Sequence, residues 1–204
     1  MSCCLMLSGM ISRSAWMKMI REEKQLTEKY FFYTDCLSAF LWVREESILA
    51  KLYAGRIILP AQVYNELKKV PHLLARADTL KSNGDLLVES MEVGSEEYND
   101  YLRMTTAPEP GMRIIGSGEA AGIAMAKQRN GTLASNNLRD IRPYVEKYEI
   151  AHITTGDILI EAMEAGIITE ADGNTIWSDM IRKRRMLPTA TFSEYLANYR
   201  KSEE

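Results

Sequence analysis

From Lys29 onward, short apolar runs alternate with stretches of helical spacing. The run Phe31–Thr34 has strand character and stops at Asp35. Leu37, Leu41, Ile48, Leu49 and Leu52 then recur at helical intervals as far as Gly55. Arg56–Leu59 predicts a second strand, after which Pro60 opens a helix carrying Val63, Glu66, Leu67 and Val70, and helical spacing continues over Leu73–Leu80. Leu86-Leu87-Val88 predicts a third strand and Ser95–Met104 a helix, followed by a loop at Ala107-Pro108-Glu109-Pro110-Gly111. Ser117 is placed to cap a helix that runs through Gln128 and closes at Asn130-Gly131.

The same alternation continues to the C-terminus. Thr132–Ala134 predicts a strand, Asn137–Tyr148 a helix that tolerates Pro143 in its first turns, and Ile150–Thr154 another strand. Ile158/Ala162 and Leu159/Met163 pair at i, i+4 before Gly166, and Asp157 stands at a helix start where capping is its simplest role. Thr169-x-x-Asp172 has capping-box spacing ahead of Ile176/Met180 and Trp177/Ile181. This order predicts an α/β fold: a mainly parallel central sheet with helices on both faces, plus C-terminal helices. Residues 29–156 form the expected core and residues 157–204 helices packed on the same domain. Residues 1–28 read as an N-terminal extension, helical over Ser14–Glu28 or preceding a later start at Met17 or Met19.

Composition narrows the class. With 204 residues, 46% of them hydrophobic and 26% charged, the chain can bury a sizeable core and is not of disordered type. The net charge of −3 says little about partners, because acidic and basic clusters cancel in the sum. Cys3, Cys4 and Cys36 have neither the number nor the spacing of a disulfide framework or a cysteine zinc site, and they fit a reducing, cytoplasmic setting. His72 and His152 are isolated, and His152 in its apolar run reads as a core histidine. No stretch approaches the ~20 apolar residues of a membrane span.

Four acidic residues change the picture. Asp35 ends the first strand, Glu66 lies in the helix after the second, Glu119 opens the Ser117 helix, and Asp140 follows the Thr132–Ala134 strand. In an open α/β sheet, ligands gather at the carboxyl ends of the strands, so all four can face one crevice. Converging carboxylates repel unless a cation lies between them, and hard divalent ions such as Mg²⁺ or Mn²⁺ prefer oxygen ligands. Each residue also has a plainer reading, Asp35 and Glu119 as helix-start charges and Glu66 and Asp140 as solvated helix residues beside Lys68, Lys69, Arg139 and Arg142.

The segments Thr34-Asp35-Cys36-Leu37-Ser38, Val63-Tyr64-Asn65-Glu66-Leu67, Gly118-Glu119-Ala120-Ala121-Gly122-Ile123-Ala124-Met125-Ala126 and Ser135-Asn136-Asn137-Leu138-Arg139-Asp140, in this order, resemble the four motifs of the PIN-domain ribonucleases. Many of these are toxins of bacterial toxin–antitoxin pairs. The resemblance covers about Tyr30–Thr155. The helices beyond Gly156 resemble those of a branch known chiefly as predicted nucleic-acid-binding proteins.

The resemblance implies a three-layer α/β/α fold and a metal-dependent endoribonuclease, a hydrolase of RNA phosphodiester bonds. Asp35, Glu119 and Asp140 would hold Mg²⁺ or Mn²⁺, Glu66 would complete the catalytic set, and Ser38 and Asn137 would orient water or phosphate. RNA is the implied partner, with an antitoxin protein and a second copy of the chain as further ones. Many relatives carry Asp where Asn137 stands. The fourth acidic role therefore passes to Asp140, and the reduced charge favours one tightly held ion over two. The missing Asp keeps a second reading open, a non-catalytic RNA- or protein-binding module on the same scaffold.

Two further motifs weigh less. Gly116-Ser117-Gly118 lacks the spacing of a dinucleotide loop, since the next glycine is Gly122. The basic run Arg182-Lys183-Arg184-Arg185 reads equally as favourable charge at a helix C-terminus and as a contact for RNA phosphates or an acidic partner segment.

Overall fold

A computed structural model describes residues 27–203, so most of the segment read as an N-terminal extension lies outside the described residues. Five strands form one parallel sheet, β1 (Tyr30–Phe32), β2 (Ile57–Pro60), β3 (Leu86–Glu89), β4 (Thr132–Ala134) and β5 (His152–Ile153), in the order β3-β2-β1-β4-β5. Register follows from Phe31 facing both Ile58 and Leu133 across the ladders. Every neighbouring pair runs parallel.

Period-two alternation sends the strand side chains into two cores. Tyr30, Phe32, Ile57, Leu59, Leu86 and Ala134 pack on one face, and Phe31, Ile58 and Leu133 on the other. Both faces are covered, which is why the strands read as continuous apolar runs.

On the first face lie α1 (Thr34–Val43), α2 (Glu46–Tyr53), α3 (Ala61–Leu67) and α4 (Pro71–Ser82). The C-terminal helices α8 (Thr155–Glu164), α9 (Glu170–Arg182) and α10 (Phe192–Glu203) join the same core through Leu159, Trp177 and Phe192. On the second face lie α5 (Glu96–Thr106), α6 (Ser117–Gln128) and α7 (Leu138–Lys147). Gly118 to Ala126 of α6 are all buried, and small residues there let the helix lie close on the strands; a β-carbon at Gly122 would meet the Leu133 side chain at 3.0 Å.

Several boundaries differ from the periodicity. Asp35 belongs to the first turn of α1 rather than to the tip of β1. The run Leu37–Leu52 breaks into two helices at Arg44, which adopts a left-handed φ of 65° and lets Glu45 N–H reach Phe40 O at 3.0 Å. The pattern past Glu66 breaks ahead of Pro71, because the residue before proline is pushed out of helical conformation and Pro71 itself suits a first turn. Gly116, not Ser117, is the N-cap of α6.

Candidate active site

In the order β3-β2-β1-β4-β5 the chain builds outward from β1 in one direction, then crosses to β4 on its other side. The crevice at the carboxyl ends of β1 and β4 is the topological switch point, where open α/β sheets take ligands. The segments after those two strands, Tyr33–Ser38 and Ser135–Asp140, border it.

Asp35 enters from the first turn of α1. Its Oδ2 accepts from Asn136 N–H at 2.9 Å and lies 3.4 Å from Ser135 Oγ, and Cys36 N–H lies against Oδ1 at 2.5 Å. Burial pushes its carboxyl up to about 6; these donors oppose the rise, and the charge of Glu119 adds to it. Glu119 is 6% exposed. Its Oε2 accepts from Gly116 N–H at 3.0 Å and its Oε1 from the Asn137 side-chain amide. Its carboxyl is raised by burial, against those two hydrogen bonds, with further raising by Asp140 and Glu66.

Asn137 ties the far side together. Its Nδ2 donates to Glu119 and also, at 3.0 Å, to Asp140 Oδ2, while its backbone N–H donates to Ser135 Oγ at 3.1 Å. Glu66 arrives from α3 and accepts from the Thr34 hydroxyl. Gly118 leaves room for the site, because a β-carbon there would stand 2.7 Å from Glu66 Oε1 and 2.8 Å from the Tyr33 ring and would push them aside. Tyr33 lies among the acids: burial raises its phenol, and the charges of Glu119, Glu66, Asp35 and Asp140 all push it further the same way.

Ser38 sits one turn below Asp35, buried, with its hydroxyl 3.3 Å from the Asp35 carbonyl oxygen. Four acids from four separated segments, with Asn137 between two of them, are thus brought to one crevice, and Ser38 lies beneath it.

Four participants escaped the sequence reading. Tyr33 precedes the first motif and Thr34 opens it, and neither carries a signal for its role beyond adjacency to Asp35. Gly118 was visible as part of a small-residue helix and of the Gly116-Ser117-Gly118 run, neither of which signals its contact with Glu66. Asn136, in the turn after β4, aims its N–H at Asp35 because its side chain is held from both ends: Nδ2 donates to Thr155 Oγ1 at 2.8 Å, and Oδ1 accepts from Thr155 N–H at 2.9 Å. Asp157 caps α8, accepting from Thr154 N–H at 2.8 Å. His152 is half-buried, with Nε2 2.8 Å from Ser135 O, and burial lowers its pKa.

A family model for a PIN domain, DUF3368, matches residues 30–201, and the chain belongs to the PIN-domain family. No curated protein matches it significantly. PIN domains are generally nucleases and usually use divalent metals. The donor set suits such an ion, since carboxylate oxygens are the ligands that hard divalent cations prefer. Among the described residues, however, no three of the acids form a ready metal cluster with their side chains as they are hydrogen-bonded here. Their oxygens are occupied by Thr34, Gly116, Asn136 and Asn137 instead.

No helix among the described residues is long and apolar enough to cross a membrane.

Proposed function

We propose that this PIN domain is a Mg²⁺- or Mn²⁺-dependent endoribonuclease. The observation that carries the proposal is the convergence of Asp35, Glu66, Glu119 and Asp140 around Tyr33 at the switch point of the sheet. Asp35, Glu119 and Asp140 would hold the ion, with Glu66 completing the set. When bound, such an ion polarises a scissile phosphate and makes a bound water a competent nucleophile near neutral pH.

The protein's own groups supply orientation. Asn137 fixes Glu119 and Asp140 through one amide, Thr34 fixes Glu66, and Asn136 and Ser135 fix Asp35. Carboxylates set in advance avoid reorganisation during reaction, the main source of electrostatic catalysis. Ser38 supports the Asp35 backbone and, with Asn137, would orient water or phosphate oxygens. As the toxin of a toxin–antitoxin pair, the enzyme would work in the cytoplasm, held in check by an antitoxin protein and paired with a second copy of itself.

One observation favours the other reading. The Asn137 amide satisfies Glu119 and Asp140 without any cation, as a binding module would require.

Cleavage of single-stranded, tRNA and rRNA substrates, with and without EDTA, separates the two. The nuclease cleaves with Mg²⁺ or Mn²⁺ and stops in EDTA, and Asp35→Asn or Glu119→Gln lowers the rate by about 10²-fold or more, as loss of a preorganised group does. RNA binding that persists in EDTA with no cleavage under any divalent ion establishes the module.

A further inference from the structure

Residues 35, 38 and 42 stand at i, i+3 and i+7 on α1, so Asp35, Ser38 and Trp42 share one face of the helix. Trp42 lies about 10 Å along the axis from Asp35 at 1.5 Å per residue. The basic run after α9 reaches this face. Arg185 brings Nη1 to 3.5 Å from Ser38 Oγ, the hydroxyl that bonds the Asp35 carbonyl. Its guanidinium lies over the Trp42 indole, 5.8 Å from the ring centroid, and Nε donates to Lys183 O at 3.2 Å. The His72 ring also meets the Trp42 indole, at 68° with ring centroids 4.6 Å apart.

Trp42 and Arg185 are half-buried, with part of each side chain open, unlike the fully buried Trp177. Among the described residues, no carboxylate forms an ion pair with Arg185, whereas Arg182 is tied to Asp179. Lys183 and Arg184 are exposed beside it, and Lys68 and Lys69 are exposed just beyond Glu66.

We propose that this face is a track for single-stranded RNA entering the acidic crevice, on which Arg185 holds a backbone phosphate and the Trp42 indole stacks a base. The proposal rests on the nuclease reading above and names how its substrate is held. A crevice of four carboxylates repels phosphate, so a strand that reaches it needs cations next to it. Arg185 has no carboxylate partner among the described residues, and one hydroxyl separates it from the backbone carbonyl of Asp35. An aromatic platform next to a basic groove is the recurrent way to hold a single strand without sequence preference. The plainer account is that Arg185 on Trp42 merely seats the chain after α9, as a packed cation–π pair does.

The test is fluorescence anisotropy of a labelled, mixed-sequence single-stranded oligoribonucleotide in EDTA, where binding is read without cleavage, on the full chain and on Arg185→Ala, Trp42→Ala and Trp42→Phe. Each alanine variant is expected to weaken binding about tenfold, the scale of one stacked base or one phosphate contact. Arg185→Ala also flattens the log–log salt dependence by about 0.7, the single-strand value for one phosphate, while Trp42→Ala leaves that slope unchanged. Trp42→Phe recovers most of the affinity.

Wild-type affinity in both alanine variants, with circular dichroism showing an intact fold, overturns the proposal. So does equal weakening by Trp42→Ala and Trp42→Phe with no change in the Arg185→Ala salt slope, which marks packing alone. Arg185-dependent binding of a poly-glutamate peptide, with none of the RNA, overturns it in favour of an acidic protein partner. Divalent-dependent cleavage and its loss in Asp35→Asn are scored separately on the same preparations, so the nuclease reading can fail or stand independently of the track.

Discussion

Asp35 shows how the crevice trades stability for chemistry. Its carboxyl titrates near 6 in the fold, against an ordinary value of 3.8, chiefly because of burial. A raised folded pKa means that the native state binds the proton more tightly than the unfolded chain does. The group therefore favours folding below about pH 4, and that contribution is lost as pH rises through 6. Glu119 is shifted in the same direction for the same first reason. In EDTA, the wild-type protein should lose stability between pH 4 and 6 through Asp35, with Glu119 acting in the same direction, and Asp35→Asn should flatten that part of the profile. Urea unfolding across this range measures it, and an unchanged slope in the variant contradicts the assigned shift.

Asn137 makes the converse point, because its amide stands between Glu119 and Asp140. Asn137→Asp replaces two donated hydrogen bonds with a third charge. The metal-free variant should lose about 1.5–3 kcal/mol, the scale of hydrogen bonds to charged groups. In thermal melts the variant should then gain more from added Mn²⁺ than the wild type does. An equal metal-induced shift would place residue 137 outside the cation's reach.

At the scale of elements, local signals were readable and distant ones were not. The capping box Thr169/Asp172 involves residues three apart, and α9 starts where the sequence places it. By contrast, α8 starts at Thr155, two residues ahead of the expected start at Asp157, because Thr154 and Asp157 form a second capping box. The break at Arg44 carried no such signal, since a non-glycine residue takes the left-handed conformation there under tertiary packing. The four acids could be picked out one by one, because each follows a strand or opens a helix. Their partners could not: Thr34 meets Glu66 across 32 positions and Asn137 meets Glu119 across 18, contacts that only the strand order creates.

The C-terminal helices are similarly bound to the rest by packing rather than by any local pattern. Phe192 is fully buried against Trp177, with ring centroids 6.0 Å apart, and its ring lies where a β-carbon on Gly173 would stand. Phe192→Ala should cost about 3–5 kcal/mol by leaving a cavity in the larger core. Denaturant unfolding reads that loss directly. A value below 1 kcal/mol would show that α10 contributes little to the fold.

For the molecule as a whole, the ladder between β1 and β4 sets the order of events during synthesis. Phe32 pairs with Ala134, so the two strands that flank the crevice are joined by a loop of roughly a hundred residues. Closing so long a loop is entropically slow, and parallel pairings of this kind form late. A nascent chain that has emerged only as far as β3 can pair β1 with β2 and β3, but it lacks the Asn136 N–H that seats Asp35 and the Asn137 amide that joins Glu119 to Asp140. The acidic centre is therefore incomplete on the ribosome until the second half of the chain has appeared. Ribosome-bound chains stopped before Ser135 should show no RNA cleavage and no protection of β1 amides on its β4 side, and chains extended past Thr155 should gain both. On the nuclease reading proposed above, this strand order works as a built-in delay.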